Sequence, residues 1–580
     1  IDEAEEEVEQ EMPFDANLAE YLDDYVLGSI SKKLINDVEN DKESRKEWMK
    51  TYTDGLKYLG MRFDEQRSQP FEGSSGVIHP ILAESVTQFQ AQAYKELLPA
   101  QGPVKTQIVG QRDANTEMQA ERVAEFMNYY IMNEMPEYDP ELDQLLFYLP
   151  LSGSAFKKVY YDASIRRPVS KFVPSEDLLV PYEATDLLSA ERVTHIVSMS
   201  NNEVRKLQLS GFYADIELTG SEVETRDTVT EEIDKIQGVE PEYNNDEQRR
   251  LYEIHTVAEI EGFEDIDENG EPTGLKLPYI ITIDESSQKV LSVRRNYEPN
   301  DPIKNKINYF VQYKFLPGLG FYGYGYIHLI GGLTKTATSS MRQLIDAGTF
   351  ANLPGGFKAH GLRVLAPDEP IAPGEFREVN APAGDLGKSL QILPFKEPSS
   401  TLFNLMDYAS KLASQFADST DNVVENATNY GPVGTTMALL EQSSKLFSAV
   451  HKRLHAAQTK NLRILTRLDY EYLPDLYPYE VAGGAQQVFK KDFNLKSIDV
   501  IPVSDPNMPT EAHRIAKINA IMSIAQQNPA AYNMEQIGME LFSAMGISEP
   551  QRYLKQQQQP FSADPISENM AALKGAPLQA

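Results

Sequence analysis

The strongest constraint on this chain lies between Tyr326 and Tyr472, where helical stretches flank a segment that cannot fold by itself. Tyr326–Ala351 has helical spacing and no proline, and at about 1.5 Å per residue such a helix reaches roughly 40 Å. Pro354-Gly355-Gly356 stops it. From there to Pro398 the sequence is rich in proline and glycine, with only two short apolar strands, Leu362–Leu365 and Leu390–Pro394. So small a module buries no core of its own and must lean on a partner. A second helix, Ser400–Asp418, is followed by a polar loop, Asn422–Gly434, and by an uninterrupted helical stretch, Thr435–Tyr472. Leu440, Phe447, Val450, Leu454, Ala457, Ile464 and Leu468 keep three-and-four spacing along it, over roughly 55 Å.

Upstream, helical spacing with heavily charged faces runs from Asn17 to Gly60 and carries the only tryptophan, Trp48. A Gly/Ser turn, Phe71–Gly76, leads into a helix over Pro80–Leu98 with Leu82, Val86, Phe89, Ala93 and Leu97 as its core stripe. Further helices are expected over Asn115–Met135 and Pro140–Leu149, then a strand pair, Ser154–Tyr161 and Arg167–Val173. Asp215–Glu247 holds twelve acids against Arg226 and Lys235 and reads as an exposed, poorly ordered insertion. Tyr252–Ile260, Pro278–Asp284, Lys289–Arg295 and Ile307–Tyr313 read as successive strands of a mainly antiparallel sheet. Helices over Glu511–Gln527 and Asn533–Met545 precede a Gln-rich tail from Gln556 that reads as loose. The fold class expected is α+β.

The chain of 580 residues exceeds what one core supports, and it has no cysteine, which excludes disulfides, thiolate metal sites and cysteine nucleophiles. No apolar run is long enough to span a bilayer, and the acidic first residues have the wrong sign for a signal peptide. A soluble protein, not exported by a standard signal, is the expectation. The formal net charge of -33 repels phosphate backbones, so tight gripping of nucleic acid is disfavoured. An acidic wall past which a duplex slides is compatible with it; on charge alone, acidity that keeps the protein soluble is the simpler account.

Local chemical signatures fail one by one. Gly318-Leu319-Gly320-Phe321-Tyr322-Gly323 fits a dinucleotide-loop pattern, but Asp346 lies in the same helix rather than after a second strand, and two aromatics stand where phosphate must approach. Gly387-Lys388-Ser389 lacks the first glycine of a phosphate loop, since position 382 is Pro382. Asp265–Gly270 opens like a calcium loop, but Lys276 stands where the bidentate glutamate is required. His451 and His455 are one helical turn apart without a third ligand nearby. Lys445, Lys452, Arg453, Lys460, Arg463 and Arg467 make a positive stripe on the last long helix, suited to acidic neighbours or to water. No catalytic signature emerges, which points away from an enzyme; no cofactor or metal is expected.

The run Pro317-Gly318-Leu319-Gly320-Phe321-Tyr322-Gly323-Tyr324-Gly325, with Ile327–Gly332 and Leu353–Gly356 after it, resembles the portal proteins of tailed double-stranded DNA phages, most closely the large portals of short-tailed phages. Phe71–Pro80, Pro278–Asn296, Pro370–Phe376, Leu393–Pro398 and Pro432–Thr436 add to the likeness, which covers most of the chain from about residue 70 to 475. The resemblance implies a portal fold: an N-terminal region and wing over 1–325, stem helices over 326–351 and 399–418 around a clip at 352–398, and a tunnel loop at 419–434. A long wing helix with return strands at 435–505, a helical crown at 506–555 and a tail at 556–580 complete it, leaving little room for a helical barrel beyond the crown.

The resemblance further implies a homo-oligomeric ring of about twelve subunits at a capsid vertex of the virion, assembled in the host cytoplasm, through which double-stranded DNA is packaged and ejected. Implied partners are the large terminase subunit, tail or adaptor proteins, the major capsid protein and scaffolding protein, with no membrane. DNA-facing residues would be Asn422, Val423, Glu425, Asn426, Asn429 and Tyr430 of the tunnel loop, with Lys335, Arg342 and Lys411 of the stem. Arg363, Glu375, Arg377, Glu378 and Lys388 of the clip would dock partners. The competing readings are a different head-to-tail adaptor ring and a nucleotide-binding enzyme built on Gly318–Gly323.

Overall fold

The computed structural model describes residues 12–61, 74–100, 102–219, 228–239, 248–266, 271–352, 397–417, 445–481, 484–495 and 497–503. Shorter described pieces are 356–358, 363–364, 379–380, 390–392, 518, 521–526, 534, 537–538 and 541–542. The chain divides into two compact units, one formed by 1–98 with 102–507, the other by 99–101 with 508–580.

Within the first unit the architecture is α+β. Helices α1 (Asp24–Ser44) and α2 (Lys46–Leu56) come from the single helical stretch expected over Asn17–Gly60. Arg45 breaks it: its side chain is buried and donates to the backbone carbonyls of Ser175, Glu176 and Leu178, a position reached only by leaving helical geometry. α3 (Ile81–Leu97) buries the stripe Leu82, Val86, Phe89, Ala93 and Leu97, as its spacing requires. β1 (Val104–Ile108), α4 (Ala114–Tyr129), a π turn at Tyr130–Glu134, and α5 (Tyr138–Ser152) follow. Asp113 and Thr116 close α4's N-terminus with a reciprocal capping box. Gly153 ends α5 in the left-handed region at φ 86°.

β2 (Ser154–Asp162) and β3 (Arg167–Val173) form the expected antiparallel pair. The other edge of β2 takes β9 (Phe310–Lys314), giving a three-stranded sheet ordered β3-β2-β9. The expectation that Ile307–Tyr313 continues the preceding sheet is therefore corrected. A second sheet, five-stranded and antiparallel, runs β4 (Leu178–Leu179), β5 (Arg192–Ser200), β6 (Gln248–Ala258), β7 (Leu277–Asp284) and β8 (Val290–Arg295). The β7–β8 turn has Gln288 at φ 56° and the Asp284 carboxylate accepting from the Ser287 N–H at 2.9 Å.

Between β5 and β6 lie α6 (Asn201–Leu209) and α7 (Thr228–Gln237). The second corrects the reading of Asp215–Glu247 as lacking structure throughout: α7 buries Val229 and packs on α2, so its few apolar residues suffice because a partner face is supplied. Residues 220–227 and 240–247 of that stretch lie outside the described residues.

α8 (Tyr326–Asn352) and α9 (Ser400–Ala417) pack side by side. Between them, β10 (Gly356–Lys358) pairs antiparallel with β13 (Leu390–Ile392), enclosing in sequence the pair β11 (Arg363–Val364) and β12 (Val379–Asn380). α10 (Lys445–Tyr472) then crosses the three-stranded sheet, followed by the hairpin β14 (Leu476–Val481) and β15 (Gly484–Phe489). The last strand, β16 (Ile498–Pro502), returns to pair with β1, Val104 opposite Pro502. Val450, Leu454, Ala457, Leu462, Leu465 and Leu468 of α10 are buried in the largest core cluster, with α3, α4 and α5. Among the described residues no helix is long and apolar enough to cross a membrane.

In the second unit, residues 521–526 are helical and Ala525 is fully buried, within the helix expected over Glu511–Gln527.

Candidate functional site

The paired helices α8 and α9 are built up from their entry turn. Gly153 brings the start of β2 against the segment before α8 so closely that a Cβ on it would lie 2.4 Å from the Tyr324 carbonyl carbon. From the opposite side, a Cβ on Gly323 would meet the Gly153 carbonyl oxygen at 2.4 Å, and one on Gly325 the Leu151 oxygen at 2.4 Å. Both glycines are there because backbone meets backbone. The Gly323 N–H donates to Ser154 Oγ at 2.7 Å, and Leu316 and Tyr324 exchange both backbone hydrogen bonds.

This arrangement consumes the Gly318–Gly323 pattern as structure. Phe321 is buried and stacks on Phe156, with ring centroids 5.9 Å apart. Tyr322 stacks on Trp48 at 4.7 Å while its hydroxyl donates to the Leu178 carbonyl and accepts from Arg45. The loop presents aromatic anchors to the core where a nucleotide site would present N–H groups to phosphate.

Along α8, Thr338, Arg342 and Asp346 stand four apart on one face. Thr338 Oγ1 accepts from the His79 N–H at 3.1 Å, Arg342 donates to the carbonyls of Val77 and Gly76 at 2.7 and 2.9 Å, and Asp346 accepts from the Ser75 N–H at 2.7 Å. Three side chains thus clasp the extended stretch 75–79 to the helix. Arg342, expected at DNA, and Asp346, weighed as the acid of a dinucleotide-loop pattern, are both engaged with backbone.

Lys335 is exposed, on the part of α8 that packs on α2. There the Asp54 carboxyl is held below its usual range by its hydrogen bond to Lys57, with Lys50 and Lys335 adding to the effect. Lys411 pairs with Asp407 one turn back at 2.7 Å, both well exposed. Such a pair is worth little to stability and leaves the ammonium in water.

α9 is thinly covered. Ala409 and Ala413 are its buried residues, whereas Phe403, Leu405, Tyr408 and Phe416 are 56%, 46%, 62% and 51% exposed. On α8, Gly331 and Gly332 face open space. Leu405, Tyr408 and Phe416 share one flank of the helix, a patch of the kind that protein interfaces cover, and Phe403 stands on the other flank.

The tunnel-loop residues Asn422, Val423, Glu425, Asn426, Asn429 and Tyr430 lie outside the described residues, as do Glu375, Arg377, Glu378 and Lys388. Arg363 is placed by its backbone, opposite Asn380 in the β11–β12 pair.

The positive stripe of α10 separates on inspection of partners. Arg453 donates to the Phe315 carbonyl, Arg463 pairs with Asp499 at 2.6 Å, and Arg467 lies 3.5 Å from Glu471, while Lys452 and Lys460 point to water. His451 turns inward, 3% exposed, with Nδ1 2.6 Å from Glu96, so it does not share a ligand with His455. Among the described residues no cluster of three potential metal ligands occurs.

Two buried polar groupings escaped sequence reasoning. Tyr313 donates to Gln458 at 2.7 Å, Asn461 donates to the Tyr138 hydroxyl at 3.2 Å, and Ser170 donates to Asn461 at 2.9 Å, tying α10 to α5 and the three-stranded sheet. The Lys157 ammonium lies 4.2 Å above the Tyr138 ring with no hydrogen-bond partner among the described residues, and burial lowers its pKa to about 7. Between the two sheets, Glu253 accepts from Lys158 at 2.5 Å and contacts His255 at 2.7 Å. Burial works to raise the Glu253 carboxyl, but Lys158 and His255 outweigh it and hold it well below the usual range.

No family model and no curated protein matches the chain. Among solved structures it is similar to one described as the neck of an empty GTA particle computed with C6 symmetry, at 10% identity and a TM-score of 0.33, over 80% of this chain and 90% of that one.

Proposed function

We propose that the chain is a portal subunit: a non-enzymatic component of a ring at one capsid vertex, through which double-stranded DNA is packaged and later ejected. The observation that carries this reading is the pairing of α8 with α9 around a small module of nested strand pairs, with α9 turning Phe403, Leu405, Tyr408 and Phe416 to the outside. In a lone chain those side chains lie in water; in a ring, the neighbouring copy covers them. The nested strands form the clip that docks the large terminase subunit and then tail or adaptor proteins. Residues 419–434 supply the tunnel segment that meets DNA, and capsid and scaffolding proteins hold the wing. The net charge of -33 suits a duct along which phosphates slide without lasting ion pairs.

The test is the mass of the purified full-length chain in solution, with negative-stain images of the same particles. Rings of about twelve copies around a central hole are expected. A chain that stays monomeric from micromolar to millimolar concentration, alone and with scaffolding protein, removes the reading.

A further inference from the structure

At the C-terminal end of α10 lies a partly open pocket of about 210 Å³. Leu468, Leu473 and Pro168 give it apolar walls, and Tyr130 and Tyr472 aromatic ones. Asp469 lines it as well; the residue is 1% exposed, and Oδ1 holds no hydrogen-bond partner among the described residues. A buried carboxyl oxygen without a partner costs folding free energy, and such an atom calls for a ligand that supplies the missing donor. Burial alone drives this carboxyl well above the usual range.

The charges around the cavity decide what kind of donor fits. Arg167 gives both of its terminal nitrogens to Glu137, at 2.5 and 2.8 Å, so that pair is neutral as a unit. Arg166 is exposed to water at the rim, with its backbone at φ 55°. Glu134, which accepts from the Tyr129 hydroxyl at 2.7 Å, lies at the rim on the π turn. Two carboxyl groups, Glu134 and the buried Asp469, thus line the pocket with two guanidiniums, of which Arg167 is tied to Glu137 and Arg166 is screened by water. Tyrosine faces beside carboxyls favour a cation over an anion, and π turns recur at functional sites.

We propose that this cavity binds a compact organic cation, a guanidinium or primary ammonium on a short alkyl stem, with Asp469 as its charged floor. The stem lies on Leu468, Leu473 and Pro168, and the cationic head reaches the carboxyl. Entry of the cation makes the charged form of Asp469 the favoured one, so binding expels a proton to solvent. The same chemistry is offered by a free small amine or guanidine and by an arginine or lysine side chain of another protein. The proposal stands apart from the channel reading, since none of these residues lies on α8 or α9.

Isothermal titration of the full-length protein with agmatine and with N-acetylarginine amide tests it, each in two buffers of different ionisation enthalpy. Saturable binding with proton release is expected, weakened at least about tenfold by Asp469→Asn and less by Glu134→Gln. Binding of agmatine alone assigns the site to free small molecules; binding of the capped arginine as well assigns it to a protein side chain. No saturable heat from either probe, or an unchanged affinity in folded Asp469→Asn, overturns the proposal. If Asp469→Asn does not fold, an unchanged affinity in Glu134→Gln does so.

Discussion

Arg342 Nε donates to the Val77 carbonyl oxygen at 2.7 Å, joining the middle of α8 to an extended segment that precedes it by most of the N-terminal half of the chain. With the second bond to Gly76, one guanidinium satisfies two backbone acceptors. Arg342→Ala is expected to cost about 2 kcal/mol and to speed amide exchange at Ser75 and His79, whose N–H groups Asp346 and Thr338 receive from the same helix face. Unchanged exchange at those two amides would sink the clasp.

The entry turn gives a paired test. Gly153 combines φ 86° with a backbone contact of 2.4 Å for any added Cβ, whereas a Cβ at Gly320 meets nothing within 4 Å. Gly153→Ala should therefore destabilise by more than about 2 kcal/mol, and Gly320→Ala should stay within about 0.5 kcal/mol of the parent. Chemical denaturation of the two variants side by side checks both. Equal effects would mean that the glycine-rich run serves something other than close backbone approach.

Lys157 stands fully buried beside Tyr138 without a hydrogen-bond acceptor among the described residues. Lys157→Met keeps most of the volume and removes the desolvated amine, so a gain of about 1–2 kcal/mol is expected at neutral pH. With its pKa lowered from 10.5 to about 7, the folded lysine sheds its proton before the unfolded one does. The parent therefore gains stability through this group as pH rises from 7 to 10.5, and the advantage of Lys157→Met shrinks over that window. Melting curves at several pH values check the trend, and a constant difference contradicts it.

Acid stability turns on His195 of β5. Burial first, and the Lys158 ammonium second, lower its pKa from 6.5 to about 3. Between those values the unfolded imidazole holds a proton that the folded one refuses, so stability is lost as pH is lowered through the window. His195→Leu should flatten that part of the profile and leave the region above 6.5 unaffected by this group. A profile as steep as the parent's would assign the acid sensitivity to other residues.

On α9, Tyr408→Glu places a charge on a side chain that is 62% exposed in the single chain. Circular dichroism should stay unchanged, since a substitution that exposed disturbs folding by less than about 0.5 kcal/mol. Assembly into rings should fail, because a neighbour would have to bury the carboxylate. Rings formed with the parent's efficiency would move the subunit contact elsewhere.

These residues also show where sequence reasoning reached and where it stopped. α8 and α9 were legible because both are proline-free, α8 lying between Gly325 and Pro354 and α9 beginning just after Pro398, signals that act over a few residues. The hairpin strands β2, β3, β7 and β8 were legible because short apolar, β-branched-rich runs flank a brief polar turn. β1 was not, and β16 was read only as part of the return strands within 435–505: each is short, and the pairing joins them across the length of the chain. β5 was missed because Thr194, fully buried, and His195 interrupt its apolar run.

The role of Arg342 could not be read because its partners are backbone carbonyls, which carry no sequence signal. Asp469 had a faint one. It falls on the same buried flank of α10 as Asn461, Leu465 and Leu468, so helical periodicity alone directs a carboxyl inward there.

The pairing of β1 with β16 also sets a clock. A ribosome that has finished Ile108 must add roughly 400 more residues before the partner strand exists, which at roughly 5–20 residues per second takes tens of seconds. Throughout that interval β1 is a strand edge with no mate inside its own chain, open to pairing with a neighbouring nascent chain. The edge closes only once Pro502 has been made, and a chain cut short before Ile498 leaves it bare.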